Sequence, residues 1–217
     1  MKNTTLLKKL QKIEKNASMN LGPDFIALLN EVKQEVYNET KGFTSSQKQA
    51  SKKALAFLKK LQKKGVRPIL GYCDFQEIHG EKYQVFTDSY TLVALKTFYE
   101  LPTVEDFKKL DSKNKEATYP SVYRIVPDVY FGEKTENNIE TLLKKLKSGM
   151  YEKGQETDYF ESKSYKALFD VKQLKDAVEM LGTTNLDIYL FGNTKPAMFL
   201  DSETGNFAII CPLRKYE

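Results

Sequence analysis

The sequence of 217 residues has little of the side-chain chemistry on which metal binding and catalysis usually depend. It contains one histidine, His79, two cysteines, Cys73 and Cys211, and no tryptophan. A metal site built from cysteine and histidine is therefore nearly excluded. The two cysteines lie in apolar, strand-like segments, which argues against a disulfide framework and fits a reducing compartment. We expect a cytoplasmic protein.

Other absences exclude further classes of protein. No apolar run approaches the length of a transmembrane helix, and the lysine-rich N-terminus lacks the apolar core of a secretory signal. The sequence has no glycine-rich phosphate loop, no HExxH motif and no recognisable pair of nucleophile and base. We therefore expect no cofactor, no bound metal and no enzymatic activity.

What the sequence does contain indicates a folded chain with a mild preference for anions. Hydrophobic residues make up 41%, which is enough for an apolar core. Lysine and arginine number 34 against 29 aspartate and glutamate, a net charge of +5. This charge favours anionic partners only where the basic residues cluster on one surface.

Hydrophobic periodicity predicts an α+β fold. Helices are predicted at residues 4–15, 24–39, 47–64, 136–148 and 171–181. Strands are predicted at residues 68–76, 82–87, 91–98, 166–170, 186–191, 197–200 and 207–212. The stretch 101–118 is predicted to be a surface loop with a helical turn, and the stretch 150–163 is predicted to be a loop. Two regions, 47–98 and 166–213, share the order of a helix followed by three antiparallel strands, which predicts two helix-on-sheet units.

Three segments carry a resemblance to one family. Residues 169–217 contain a strand, a helix and three short strands, the last of which continues into Ile210-Cys-Pro-Leu-Arg214. Upstream stand Arg67-Pro-Ile-Leu70 and Thr87-Asp-Ser-Tyr-Thr-Leu92, and between them and the tail lies Tyr119-Pro-Ser-Val-Tyr-Arg-Ile-Val-Pro127. In this order the segments resemble the bacterial sliding DNA clamp, the beta subunit of DNA polymerase III. The departures are Ser89, Tyr90 and Thr91 where clamps have Gly, His and Arg, and Cys211 where they have Met.

The resemblance covers residues 47–131 and 165–217, and it implies a shortened clamp. It implies a clamp-like domain at 46–217, made of units 46–118 and 136–217 with a linker at 119–135, preceded by an N-terminal helical extension at 1–45. The implied function is that of a non-enzymatic processivity factor of DNA replication, which binds DNA, clamp-binding peptides of replication proteins, or both. The alternative is a clamp-fold interaction protein, of phage or mobile-element type, that binds replication partners without encircling DNA.

The same resemblance implies a peptide-binding pocket built from three segments. Its residues, carried over by position, are Thr87, Ser89, Tyr90, Thr91 and Leu92 from the turn, Pro120, Arg124 and Ile125 from the linker, and Ile209, Cys211, Pro212, Leu213 and Arg214 from the tail. An extended peptide needs an apolar cleft and a few polar groups, which these residues could supply. The competing interpretation is that the apolar members are strand-core residues and that Arg214 is a surface charge.

Lysines on two predicted helices form the second candidate site. At 100° per residue, Lys48, Lys52, Lys59 and Lys63 fall within one stripe of the helix at 47–64. By resemblance to the helices that line the hole of a clamp, these residues, with Lys172 and Lys175 of the later helix, would contact DNA phosphates without reading sequence. Homo-oligomerisation is left open. The competing interpretation is an ordinary solvated helix face.

Overall fold

A computed structural model describes residues 23–65, 67–151 and 156–214. The helix predicted at 4–15 lies outside this range. Within it, the five α-helices are Pro23–Thr40 (α1), Ser45–Lys64 (α2), Val104–Leu110 (α3), Ile139–Lys147 (α4) and Val171–Leu181 (α5). The nine strands are Asp74–Ile78 (β1), Glu81–Thr87 (β2), Thr91–Leu95 (β3), Glu133–Lys134 (β4), Thr157–Glu161 (β5), Lys166–Asp170 (β6), Asp187–Leu190 (β7), Ala197–Leu200 (β8) and Phe207–Ile210 (β9). The α+β prediction is confirmed.

The described residues group into two compact units. One comprises the described residues up to Cys73 together with Tyr99–Ala117, and it holds α1, α2 and α3. The other comprises Asp74–Phe98 and the described residues from Thr118 onward, and it holds all nine strands with α4 and α5. We call them the helical unit and the sheet unit. The domain boundaries expected from the resemblance stay a prediction.

Helix α2 is fixed at both ends by its own sequence. Thr44 caps its start, since its hydroxyl accepts from the Gln47 amide at 3.2 Å while the Gln47 side chain accepts from the Thr44 amide at 3.0 Å. Gly65 ends the helix in the left-handed conformation, with φ 67°. The buried polar side chains of Asn38 and Gln34 on α1 donate to the hydroxyl and carbonyl of Ser51 at 3.1 and 2.8 Å, and so fix how the two helices pair.

The sheet unit is organised around one antiparallel sheet of seven strands, in the order β1-β2-β3-β9-β8-β7-β4. Two consecutive three-strand meanders, β1–β3 and β7–β9, meet where β3 pairs with β9. The first meander turns at His79 and Gly80, whose φ values of 52° and 80° suit a two-residue hairpin. The predicted order of a helix followed by three antiparallel strands is therefore found twice, as α2 before β1–β3 and α5 before β7–β9. Of the two helices, only α5 is grouped with the sheet, so the prediction of two helix-on-sheet units is not borne out for α2.

The linker and helix α5 both contribute to the core of the sheet unit. Val122 and Val126 of the linker join a buried cluster of strand side chains, which includes Leu92 and Ile209. Helix α5 packs on β3, β9 and β6, and it buries Leu174, Ala177, Val178 and Leu181. The rings of Phe160, Phe169 and Phe199 meet edge to face, with centroids 5.2 to 6.0 Å apart. The β5–β6 pair is thus packed onto β8.

Two stretches differ from the prediction. The strand predicted at 68–76 begins only at Asp74, because Pro68–Gly71 is a turn of 3-10 helix, where Pro68 has no amide to donate and Gly71 packs closely against Gln62. The loop predicted at 150–163 contains β5, which pairs with β6 over five residues. The strand was not predicted because its sequence is mostly polar. Only Phe160 of the five residues in β5 is fully buried.

Candidate functional site

The candidate site lies along the junction of the two meanders. We call it the seam: strands β3 and β9, the turn Asp88–Tyr90 that precedes β3, and the tail of residues 211–214 that follows β9. Thr91 pairs with Ile210 and Leu92 with Ile209 in the antiparallel register. A turn from the first meander and the end of the second are therefore neighbours, although they are more than 100 residues apart in the sequence.

The turn is closed by its own side chains. The carboxylate of Asp88 accepts from the amides of Tyr90 and Thr91 at 3.0 and 2.7 Å. The Thr87 hydroxyl accepts from the Ser89 amide at 3.1 Å and donates to the Thr91 carbonyl at 2.7 Å. Ser89 has a φ of 80°, a conformation that favours glycine. The turn therefore holds Tyr90 outward, with 68% of its surface exposed.

Hydrogen bonds between the linker and strands β1 and β2 hold the linker beside the turn. The Tyr119 hydroxyl accepts a hydrogen bond from the Thr87 amide at 3.1 Å. The Gln76 side chain donates to the Pro120 carbonyl at 2.9 Å and accepts from the Val122 amide at 2.8 Å. Since Val122 and Val126 are buried in the same cluster as Leu92 and Ile209, the linker is anchored on the sheet at the seam.

The tail continues past β9 between the turn and β6. The Cys211 amide donates to the Tyr90 carbonyl at 2.9 Å, and the Leu213 amide donates to the Leu168 carbonyl at 2.7 Å. Burial raises the pKa of the Cys211 thiol, the charge of Asp88 raises it further, and Arg214 opposes the shift. The thiol is therefore neutral near pH 7, which makes Cys211 a packing residue and a poor nucleophile.

The structure divides the thirteen predicted peptide-binding residues by exposure. Leu92 and Ile209, 2% and 3% exposed, are core residues, as are the turn side chains of Thr87 and Thr91. Their side chains hold the seam together and leave no surface for a ligand. Cys211 and Pro212 are half-buried. The exposed members are Ser89, Tyr90, Pro120, Arg124, Ile125, Leu213 and Arg214. A peptide would therefore contact mainly these seven exposed residues, which include Leu213 and Arg214 of the tail.

Four residues that position the seam were not among the predicted site residues. They are Gln76, Asp88, Tyr119 and Leu168. Asp88 could have been found, because an aspartate three residues before a strand is typical of a turn closed by a side chain. Tyr119 lies inside the motif of the linker. The part played by the Leu168 carbonyl has no sequence signal, since it depends on where the tail runs.

The lysine helices differ in their electrostatic surroundings. Helix α2 carries seven lysines and no acidic residue. Of its predicted DNA-binding lysines, Lys59 pairs with Glu31 of α1 at 2.6 Å. On α5, Lys172 pairs with Glu156 at 2.6 Å and Lys175 with Glu179 at 3.7 Å. A cavity of about 500 Å³ beside α2 is lined by Ala56, Lys59, Lys60, Lys63 and Lys64. Lysine is therefore denser on α2 than on α5, and the acids beside Lys52 and Lys59 are Glu31 and Glu35 of α1.

The described residues include no group of three or more histidine, cysteine, aspartate or glutamate side chains able to hold a metal ion. None of the described helices is both long enough and apolar enough to cross a membrane.

Comparisons with known proteins identify the fold. No protein-family model matches the sequence, and no curated protein matches it. Among solved structures, the beta subunit of the DNA polymerase of Streptococcus pyogenes aligns with a TM-score of 0.50 and 16% identity, over 78% of this chain and 64% of that one. The DNA polymerase sliding clamp of Bacillus subtilis aligns with a TM-score of 0.49 and 15% identity, over 75% and 63%. The Helicobacter pylori beta clamp bound to a DNA ligase peptide aligns with a TM-score of 0.33 and 15% identity, over 62% and 41%.

The aligned region spans less than two thirds of each of these clamp chains. The chain has the sliding-clamp fold over part of the length of a clamp, as the resemblance of its three segments implied.

Proposed function

We propose that this protein is a clamp-like replication factor whose seam binds short linear peptides of replication proteins. One observation carries the proposal: the turn, the linker and the tail, far apart in sequence, are tied to one another by hydrogen bonds and a shared core. These bonds run from the Thr87 amide to Tyr119 and from the Cys211 amide to Tyr90. The sliding-clamp fold supports the same assignment.

The exposed chemistry of the seam suits an extended peptide with an apolar anchor. Tyr90 and Leu213 present apolar surface on the turn and the tail, and both belong to segments whose backbones are already fixed. A preformed surface loses little conformational entropy on binding, which favours affinity. Arg214 adds a positive charge that would pair with an acidic residue or a carboxylate of the peptide.

A fluorescently labelled peptide with a clamp-binding motif tests the proposal by anisotropy. We expect saturable binding that weakens about tenfold in Leu213→Ala, because an apolar contact at the centre of a small interface carries much of the affinity. Ile125→Ala tests whether the linker contributes to the same surface. Leu110→Ala is the matched control, since Leu110 is an exposed leucine in the helical unit.

Two results would count against this function. One is the absence of binding at high micromolar peptide. The other is binding that Leu213→Ala and Ile125→Ala leave as strong as in the Leu110→Ala control.

A second function, binding of DNA by α2, is favoured by the acid-free composition of that helix. Seven lysines on one helix attract phosphates without reading sequence. Because Lys172 and Lys175 of α5 are paired with acids, we expect the contact with DNA phosphates to come from α2 alone. That arrangement suits the alternative of an interaction protein that binds replication partners without encircling DNA.

A further inference from the structure

One side chain of helix α5 reaches the turn of the seam. The Nε2 of Gln173 donates a hydrogen bond to the Thr91 hydroxyl at 2.7 Å. Thr91 is buried, so little water can replace the Gln173 amide as the partner of this hydroxyl. The bond joins two residues that stand 82 positions apart in the sequence.

Thr91 is a fixed point of the turn. Its amide donates to the Asp88 carboxylate at 2.7 Å, and its carbonyl accepts from the Thr87 hydroxyl at 2.7 Å. Both of these bonds stay within residues 87–91, whereas the bond from Gln173 comes from a helix. The position of the turn relative to α5 is therefore set at the Thr91 hydroxyl.

Gln173 is itself held in place at the start of α5. Its backbone amide donates to the Asp170 carboxylate at 3.0 Å. On either side of it in the sequence, Val171 and Leu174 are buried, and α5 packs on β3 and β9. The amide group that binds Thr91 is therefore carried by a rigid element, which is the support that a precise binding site requires.

The tail is held from the same part of the chain. Strand β6 ends at Asp170 and α5 begins at Val171, without a connecting loop. In β6, the Leu168 carbonyl accepts from the Leu213 amide of the tail at 2.7 Å. We call residues 168–173 the corner. The corner therefore binds the tail through Leu168 and the turn through Gln173.

The exposed residues of the seam lie beyond the last strand pair, Thr91 with Ile210. Past that pair, the Cys211 amide donates to the Tyr90 carbonyl at 2.9 Å. Leu213 lies two residues further along the tail, where its own amide is held by the corner. The distance between the exposed side chains of Tyr90 and Leu213 therefore depends on the corner.

We propose that Gln173 is a positioning residue of the peptide site, through which the corner holds the turn at a fixed distance from the tail. The inference rests on the proposed function and names a residue that sets the geometry of that same site. Gln173 need not touch the peptide, since it acts through Thr91. Its loss should change the affinity for the peptide and leave the exposed side chains of the seam in place.

Anisotropy titration of a labelled clamp-binding peptide with variants of the full chain tests this role. Gln173→Leu leaves the buried Thr91 hydroxyl without its donor, so we expect binding to weaken about fivefold to tenfold. Thr91→Val removes the acceptor of the same bond and should weaken binding by a similar factor. The chain with both changes should bind no more weakly than either single variant, because both remove one bond.

Two further variants separate positioning from a general loss of stability. Leu181→Ala removes a buried side chain at the far end of α5, away from Thr91. It should lower the melting temperature and change the peptide affinity of the folded protein by less than about twofold, since distant sites act independently. Thr91→Ser keeps the hydroxyl and should bind the peptide more tightly than Thr91→Val does.

Backbone amide NMR of the free protein gives a readout that needs no peptide. Gln173→Leu should shift the amides of Tyr90, Thr91 and Cys211, because the turn is released and Cys211 is bonded to it. Leu181→Ala should leave these three amides unchanged.

Wild-type binding that Gln173→Leu leaves unchanged would overturn the inference alone, with the proposed function intact. Additive losses in the double variant, or an equal loss of affinity in Leu181→Ala, would also overturn it. A wild type that does not bind the peptide at high micromolar concentration would instead show the proposed function to be wrong, and the role of Gln173 with it.

Discussion

The two halves of the fold follow one pattern with different chemistry. In each, a helix precedes a three-strand antiparallel meander: α2 before β1–β3, and α5 before β7–β9. Both helices have a buried apolar side and a lysine-bearing side, but α2 has no acidic residue, whereas α5 includes Asp176 and Glu179. The halves therefore share their order of elements and differ in packing and electrostatics, since α2 pairs with α1 in the helical unit and α5 packs on strands of the sheet. Lysine spacing identifies an exposed face, and only the surrounding acids decide whether that face can attract an anion.

The turns of the two meanders differ in a similar way. Between β2 and β3 the left-handed position is Ser89, with φ 80°, and between β8 and β9 it is Gly205, with φ 73°. In both turns an aspartate, Asp88 or Asp201, accepts hydrogen bonds from following amides. The first turn thus carries backbone strain that the second avoids, and the strained turn is the one at the seam.

The largest expected effect concerns what the helices share. Leu58 of α2 and Leu174 of α5 are both buried. We expect Leu58→Ala and Leu174→Ala each to lower the free energy of unfolding by about 2–5 kcal/mol, because each leaves a cavity. Urea denaturation followed by circular dichroism measures this. Lys175→Ala serves as the surface control, with a change within about 0.5 kcal/mol. A loss below about 1 kcal/mol for either leucine would show that its helix does not pack as described.

The next largest effect concerns DNA binding, because α2 and α5 differ in the acids that surround their lysines. Lys52→Glu with Lys63→Glu on α2 should weaken binding of duplex DNA at low salt by about tenfold or more, and it should lower the salt slope by about two, since two phosphate contacts are lost. Lys172→Glu with Lys175→Glu on α5 makes the same change in net charge. This control should weaken binding by less than about twofold, because both lysines already face acids.

Anisotropy titrations at several salt concentrations decide between these outcomes. Equal losses in the two variants would remove the distinction between α2 and α5. A wild type that does not bind DNA at low salt would remove DNA binding by α2 altogether.

A smaller effect is expected at the helix starts. Thr44 caps α2 through one amide and a reciprocal Gln47 contact, whereas the Asp170 carboxylate caps α5 by accepting from the amides of Lys172 and Gln173. We expect Thr44→Ala to cost about 1 kcal/mol and Asp170→Ala about 1–2 kcal/mol, since a charged acceptor also interacts with the helix dipole. Asp170→Asn keeps the acceptor without the charge. If it destabilised the fold as much as Asp170→Ala does, the cap assignment would fail.

The smallest effect concerns the turns. Ser89→Gly should raise the free energy of unfolding by about 0.5–1 kcal/mol, because glycine adopts a positive φ without strain. Gly205→Ala should lower it by about 1 kcal/mol, since it adds strain and crowds the Lys96 side chain, whose Cε would lie 2.9 Å from the new Cβ. Thermal melts of both variants measure the signs. Stabilisation by Gly205→Ala, or destabilisation by Ser89→Gly, would contradict the comparison of the turns.

Much of the sheet unit could be predicted from the sequence because nearby residues mark where its helices and strands begin and end. Helix Val171–Leu181 and strand Ala197–Leu200 were predicted to the residue, since Asp170, Gly182 and Pro196 mark their ends. Strand β5 could not be predicted, because its polar residues carry no clear alternation and its pairing partner is supplied by tertiary structure.

The candidate site was only partly predictable. The motif order indicated that turn, linker and tail converge, and the fold brings them together. Strand periodicity could not separate Leu92 and Ile209 from surface residues, because every residue of β3 and β9 is buried and a strand covered on both faces shows no alternation. Likewise, the ion pairs of Lys59 with Glu31 and Lys172 with Glu156 join residues 28 and 16 positions apart, beyond the reach of helical spacing rules.

Backbone amide NMR of the labelled protein, titrated with a clamp-binding peptide, is the most direct test of the seam as a peptide site. We predict that the largest shift changes fall on Tyr90, Leu213 and Arg214, with changes at Arg124 and Ile125 where the linker contributes. The amides of α2 should stay unchanged. Shift changes confined to α2 or to the outer strand β1, or no change at saturating peptide, would contradict the account.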